Sequence, residues 1–213
     1  MNLVTDEVLK ELGMDSQDQA DEEIVEKKGN LISRAVKTLS DIFVPIVPAI
    51  VAGGLLMGIN NVLTAQGLFF ANKSLIEAYP MWKDFATIIN LISNAAFTFL
   101  PILVGFSATK KFGGNPYLGA VMGMIMVHPD LLNCYNYGKV ATPFWNLFGL
   151  KVAAVGYQGT VLPILFTSWV IAKLETKLHK ITPSWLDNLT TPLLSVLITG
   201  FITFLAVGPV LRE

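Results

Sequence analysis

The chain has 213 residues, 53% of them hydrophobic and only 15% charged, where a soluble domain carries about 25% charged residues. A formal net charge of −1 gives nothing to attract a polyanion, so nucleic acid is excluded as an expected partner. The single cysteine, Cys134, excludes an internal disulfide framework and every multi-cysteine metal site.

The charge is unevenly placed. Nine of the 16 acidic residues fall in the first 30 positions, and beyond Lys37 long neutral runs separate the charges. This is a polar head on a membrane body. No basic segment leads into a short apolar stretch at the start, so no secretory signal is read there. Val4, Val8, Leu9 and Leu12 mark one face of a short helix that Gly13 would end. The following DSQDQADEEIVEKKGN has no apolar stripe and reads as a solvated tether.

From Asn30 the pattern changes. Leu31, Ile32, Ala35, Val36, Leu39, Ile42 and Phe43 recur at helical spacing, with Ser33, Arg34, Lys37, Thr38 and Ser40 largely opposite. A basic amphipathic helix of this kind suits a bilayer surface beside anionic lipid, with a partner-binding helix as the alternative. The first apolar run, Ile42 to Leu63, is uncharged and long enough to cross about 30 Å of hydrocarbon. Pro45 and Pro48 bend it early, and Gly53, Gly54 and Gly58 offer a small face for helix packing.

A loop from Thr64 to Asp84 leads to the second run, Phe85 to Thr109, uncharged for 25 residues. Asn90 and Asn94 lie four apart, on one helical face that should look inward, because amides in lipid need partners. Pro101 and Gly105 offer a kink. Lys110 to Pro116 is a tight basic turn. The third run, Tyr117 to about Leu132, is short and ends at His128–Pro129–Asp130. Shortness with an internal proline predicts a tilted or broken helix, the kind of element that lines transporter cavities. Asn133 to Tyr157 is a polar, aromatic connection suited to a membrane–water interface. The fourth span begins at Val152 or Gly159 and reaches Ala172. Lys173, Glu175, Lys177, His179 and Lys180 then read as a solvated extension, with His179 a surface residue. The fifth span is about Asn188 to Leu211.

The expected fold is all-α: a polytopic membrane helical bundle of about five spans, preceded by an amphipathic interfacial helix. With the N-terminus in the cytoplasm, Lys27, Lys28, Arg34, Lys37, Lys110, Lys111, Lys173, Lys177 and Lys180 lie inside, against Lys73, Lys83, Lys139 and Lys151 outside. That excess of inner cations fixes the expected orientation and puts the His128 region on the outer side.

No phosphate loop, dinucleotide fingerprint or zinc-protease motif is present. The two histidines stand 51 positions apart and suggest no metal site. No cofactor and no catalytic residue is read from the chain. Sugars favour aromatic faces with amides, carboxylates and histidines, which Asn60, Asn61, Asn90, Asn94, His128, Asp130, Asn133 and Gln158 would supply. His128, Asp130 and Asn133 are the candidate substrate contacts. At each a structural role competes: a histidine and a carboxylate ending an apolar helix lie either at the water interface or beside a cavity. Asp130, following Pro129, also suits a helix-start cap.

The strings SRAVKTLSDIFVPIVPAIVAGGLLMGINNVL, FLPILVGFSATKKFGGNPYLGAVMGMIMVHPDLLN, WNLFGL, VGYQGTVLPIL and TPLLSVLITGFITFLAVGPV closely resemble EIIC, the membrane subunit of bacterial sugar phosphotransferase systems. The resemblance is to the glucose superfamily, within it to the sucrose- and trehalose-specific EIIBC permeases, and it covers Asn30 to Arg212. It implies that residues 1–29 are the tail of an EIIB-like domain with its linker, and that 30–213 are the N-terminal half of EIIC. The implied activity is translocation of a disaccharide, trehalose or sucrose, across the bacterial cytoplasmic membrane, coupled to phosphorylation by a phosphocysteine on EIIB. Implied partners are EIIB, upstream EIIA and HPr, membrane lipid and a second copy in a homodimer.

The family's phosphocysteine loop, sugar-binding histidine motif and Gly-Ile-Thr-Glu-Pro glutamate do not occur in this sequence. Cys134 matches none of them, so no catalytic residue carries over and a fragment is expected. VHPDLLN leans toward the trehalose type and ISRAVKTLSDIF toward the sucrose type, while Cys134–Tyr135 departs from both. The alternatives are a phosphotransfer-independent sugar-sensing or regulatory membrane protein on the same scaffold, a channel or structural membrane protein, or a non-functional fragment.

Overall fold

The computed structural model describes residues 31–147 and 149–207. The short helix and tether expected within 1–29, and the end of the fifth apolar run, lie outside the described residues. The chain divides into two compact units, 1–41 and 42–213. The described part of the first is most of helix α1 (Leu31–Phe43). Val36 and Leu39 stand exposed on it, whereas Ile42 further along the same stripe is buried.

In the second unit the expected bends are outright breaks. Pro45 cannot continue α1, and a turn closed by Ile46 N–H to Phe43 O (2.8 Å) intervenes. Pro48 then sits in the first turn of α2 (Val47–Thr64), where its missing N–H costs nothing. A four-residue helix, α3 (Leu75–Ala78), follows, started by a capping box between Ser74 and Glu77. The second apolar run divides at Phe99 into α4 (Lys83–Thr98) and α5 (Leu100–Lys111), with Pro101 in the first turn of α5. The rest comprises α6 (Pro116–Met126), a hairpin of β1 (Phe144–Leu147) and β2 (Leu150–Ala153), α7 (Leu162–Ile181) and α8 (Ser184–Ile202). A five-residue π-helix, Thr203–Val207, continues α8.

Among the described residues, each of the five expected apolar runs contains a helix, the third only as far as Met126. Among the same described residues, three segments are long and apolar enough to cross a membrane: Val47–Thr64, Pro80–Lys111 and Ser184–Val207. Helix α6 has 11 residues, a rise of roughly 16 Å, about half the hydrocarbon thickness. Val152 does not start the fourth span. It lies in β2, paired with Trp145 in an antiparallel register closed at Leu147–Leu150. The helix begins only at Leu162, with Pro163 in its first turn. Asn146 Oδ1 accepts the N–H of Gly149 (3.1 Å), and Gly149 takes a φ of 91°, a local turn that hydropathy does not register.

The core lies where α5, α6 and α7 meet. Leu100, Val104 and Ala108 form one stripe of α5 and pack with Met122 and Met126 of α6 and Ile164 and Ile171 of α7. Backbones touch at the α5–α6 crossing. A Cβ on Gly105 would strike the carbonyl of Gly119, and one on Gly119 would strike Gly105 O and Thr109 Oγ1. Close small-residue approach of this kind drives helix association where lipid is as apolar as leucine.

The α2–α4 pair is more open. Gly53 meets Ser93 O, Ala96 and Phe97 of α4, but Gly54 and Gly58 face open space. Asn60 Nδ2 donates to Asn90 Oδ1 at 3.3 Å. Asn61, Asn90 and Asn94 are exposed, so the Asn90–Asn94 face does not look into the described bundle. These two helices pack chiefly on each other and leave their second face uncovered.

Candidate functional site

The α5–α6 turn shows why the His128 stretch sits where it does. Gly114 N–H reaches Thr109 O (3.0 Å) and Gly113 N–H reaches Lys110 O (3.2 Å), a Schellman closure around Gly113 at φ 84°. Asn115 Oδ1 then accepts from Tyr117 N (3.0 Å) and starts α6. Eleven residues later α6 ends at Met126, and His128 follows at the opposite end of the bundle.

Of the three expected contacts, His128 and Asp130 touch each other and Asn133 does not join them. Asp130 N–H donates to His128 Nδ1 at 3.3 Å, and Asp130 Oδ2 lies 3.5 Å from the same nitrogen. One nitrogen cannot serve both at once: it accepts the N–H only without a hydrogen of its own and donates to the carboxylate only with one. The side chains are 55% and 86% exposed, so the pair is screened by solvent. Asn133 Oδ1 accepts from Tyr135 N (3.0 Å) and starts the short 3₁₀ turn Cys134–Asn136.

A half-open cavity lies one step further along the chain. It measures about 230 Å³ and is lined by Cys134, Tyr137, Val155, Gly156, Tyr157, Thr160 and Pro163. That is below the roughly 300–1,000 Å³ of ordinary small-molecule pockets. Gln158 braces Cys134, one of the lining residues. Its side-chain oxygen accepts Cys134 N–H and its carbonyl accepts the Cys134 thiol, both at 3.0 Å. Leu132 N–H to Ala154 O (2.9 Å), Gly156 N–H to Leu132 O (2.7 Å) and Tyr157 N–H to Met126 O (2.9 Å) tie the connection across the end of α6. Gly159 has φ 68°, and a Cβ there would lie 2.6 Å from Tyr135 Oη. Burial, and secondarily Cys134, push the Tyr135 hydroxyl above its usual value. Of the sugar-suited residues, Gln158 is therefore a structural strut, and Asn60, Asn61, Asn90 and Asn94 lie on the α2–α4 pair.

At the other end of α7 the structure assembles a constellation that the sequence reading passed over. Glu175 is buried and its Oε2 accepts the N–H of Asn115 at 2.7 Å. Its Oε1 lies 3.7 Å from His179 Nε2. His179 Nδ1 is 2.7 Å from Asp187 Oδ2, and Asp187 Oδ1 accepts from Thr191 Oγ1 at 2.6 Å. His179 is exposed, as expected of a surface residue, but it is also paired. It joins the end of α7 to the start of α8, while Glu175 holds the α5–α6 turn against α7. The visible signal was the i, i+4 spacing of Glu175 and His179 in line with Ile171. Among the described residues, no three His, Cys, Asp or Glu side chains group to hold a metal ion.

Similarity to known proteins agrees with this architecture. The sequence model of the family described as "Phosphotransferase system, EIIC" matches residues 40–213. The chain is 59% identical over 191 residues to the sucrose-specific EIIBC component of Vibrio alginolyticus, covering 88% of this chain and 40% of that protein. It is 53% identical over 215 residues to the trehalose-specific EIIBC component of Bacillus subtilis (strain 168), covering 99% and 46%. It is also 58% identical over 183 residues to a sucrose-specific EIIBCA component of Pediococcus pentosaceus, covering 83% and 28%. The chain spans less than half the length of these relatives. No solved structure matches.

Proposed function

We propose, from the premise that this chain belongs to the phosphotransferase system EIIC family, that it forms the first half of the membrane domain of a disaccharide permease. The observation that carries this reading is identity of 53–59% to sucrose- and trehalose-specific EIIBC components along most of the chain. The sugar, sucrose or trehalose, crosses the bacterial cytoplasmic membrane and is phosphorylated on the inner side. A phosphocysteine on EIIB loses its S–P bond, a sugar hydroxyl gains an O–P bond, and the hydroxyl proton is released. The charged product cannot return through the bilayer. EIIA and HPr supply the phosphoryl group to EIIB, and the permease works as a homodimer with its N-terminus in the cytoplasm.

The role of this half is to form the scaffold and the outer approach. Helix α6 is a half-span that stops beneath an aromatic, hydrogen-bonded cap, the kind of interrupted element from which transport sites are made. His128, Asp130 and Asn133 lie along that approach as substrate-path residues, not as catalysts. Uptake of labelled trehalose and sucrose by the full permease tests the reading. One of the two sugars accumulates as its phosphate, only when EIIB can be phosphorylated. Accumulation of unmodified sugar refutes the coupling. His128→Gln with Asp130→Asn is expected to raise KM several-fold with little change in kcat. Unchanged uptake makes their contact purely structural.

A further inference from the structure

One face of α7 changes character along its length. Leu162, Phe166 and Trp169 are exposed, and Lys173, Lys177 and Lys180 continue the same face, all exposed. The steps of 4, 3, 4, 4 and 3 residues keep all six on one line of the helix. The opposite face, Ile164, Thr167, Ser168, Ile171, Ala172 and Glu175, is buried in the bundle. The outer face is therefore apolar, then an indole, then three ammonium groups. That order matches a bilayer read from its core through its interface to its headgroups.

The carboxylates that might neutralise these lysines are turned away. Glu175 is committed to Asn115 N–H and His179, and Asp187 to His179 and Thr191. Among the described residues, no ion pair engages Lys173, Lys177 or Lys180. Trp185, 81% exposed at the start of α8, places a second indole at the same end of the molecule.

We infer that Lys173, Lys177 and Lys180 form a binding face for anionic phospholipid headgroups of the adjacent leaflet, with Trp169 set at the acyl–headgroup boundary. The inference rests on the membrane assignment and not on which sugar is carried. Lysines beside a bilayer attract acidic lipid by a charge term that falls off within a Debye length. Their stems lie along the helix and lift the charge into the headgroup layer.

The test uses the full permease in detergent micelles, titrated with phosphatidylglycerol or phosphatidylcholine and read by native mass spectrometry. The wild type should retain phosphatidylglycerol in preference to phosphatidylcholine. K173Q/K177Q/K180Q should weaken retention by roughly tenfold or more, on the scale expected for three interfacial lysines. K139Q/K151Q, in the hairpin-containing connection at the other end of the bundle, should bind as the wild type does, and K173R/K177R/K180R should keep the preference. On the unmodified protein the preference should shrink as salt rises, a reading independent of whether any variant folds. Equal retention of the two lipids by the wild type, a salt-independent preference, or unchanged retention by the folded triple glutamine variant overturns the inference.

Discussion

At the scale of single residues, the largest constraint is the absence of a side chain. Gly105 and Gly119 let two backbones touch in the centre of the core, and no rotamer can relieve a Cβ placed against a carbonyl. Gly119→Leu should cost about 1–3 kcal/mol or more, the range of overpacking in a filled interior. Gly58→Leu, whose Cβ would enter open space, should change stability by less than about 0.5 kcal/mol. Thermal midpoints of the two detergent-solubilised variants check this, and equal losses would contradict the packing described. The sequence shows both glycines equally well. Which of them is crowded depends on the neighbouring helix. The same limit applies to His128, Asp130 and Asn133. Their chemistry suits a sugar, but their hydrogen bonds to Asp130 N–H and Tyr135 N–H are the bonds of ordinary turns.

At the scale of elements, the hinge between α7 and α8 is an electrostatic clasp. The hydrogen bond that the His179 imidazole donates to Asp187 is the main reason that it stays protonated to higher pH than usual, with smaller help from Glu175. The folded-state value is raised, so the stabilisation is complete below about 6.5, the unperturbed value. It is lost as pH rises through the raised value. His179 is 45% exposed, which keeps the effect small through solvent screening. The thermal midpoint of the protein should therefore fall on going from about pH 6 to about pH 9. His179→Gln should remove most of that slope, and an identical slope in the variant would show that other groups dominate. The element boundaries follow from local chemistry: Pro45, Pro48, Pro101 and Pro163 each sit at a helix start or break. The hairpin does not, because its strands are short and are held by pairing across the turn.

At the scale of the whole molecule, ends and sides can be assigned. Asn115 N–H bonded to Glu175, and His179 bonded to Asp187, gather the Lys110 turn and the α7–α8 turn at one end. Tyr157 N–H bonded to Met126 O, with Trp145 packed edge-on against Phe204 at 5.5 Å, gathers the cap at the other. In a Cys134→Ser background, Lys139→Cys should react with a membrane-impermeant maleimide on intact cells. Lys110→Cys and Pro183→Cys should react only in inverted vesicles. The reverse pattern would invert the orientation, and labelling of all three from one side would contradict the two-ended bundle. The exposed second face of the α2–α4 pair, with Asn61 and Asn94 on it, fits a chain that spans less than half the length of its relatives.

The sequence by itself determined what depends on local composition. It determined which stretches are apolar enough to enter a membrane and where proline interrupts them. The strings that carry family membership are likewise linear. Tertiary structure alone decided that α6 ends at Met126 and that Gln158 braces Cys134. It also decided that Glu175, His179 and Asp187 form one clasp. Each of those outcomes is a contact between residues far apart in sequence or a boundary set by such contacts. Hydropathy and spacing record how a residue would behave in water or lipid, not which neighbour the fold will bring to it.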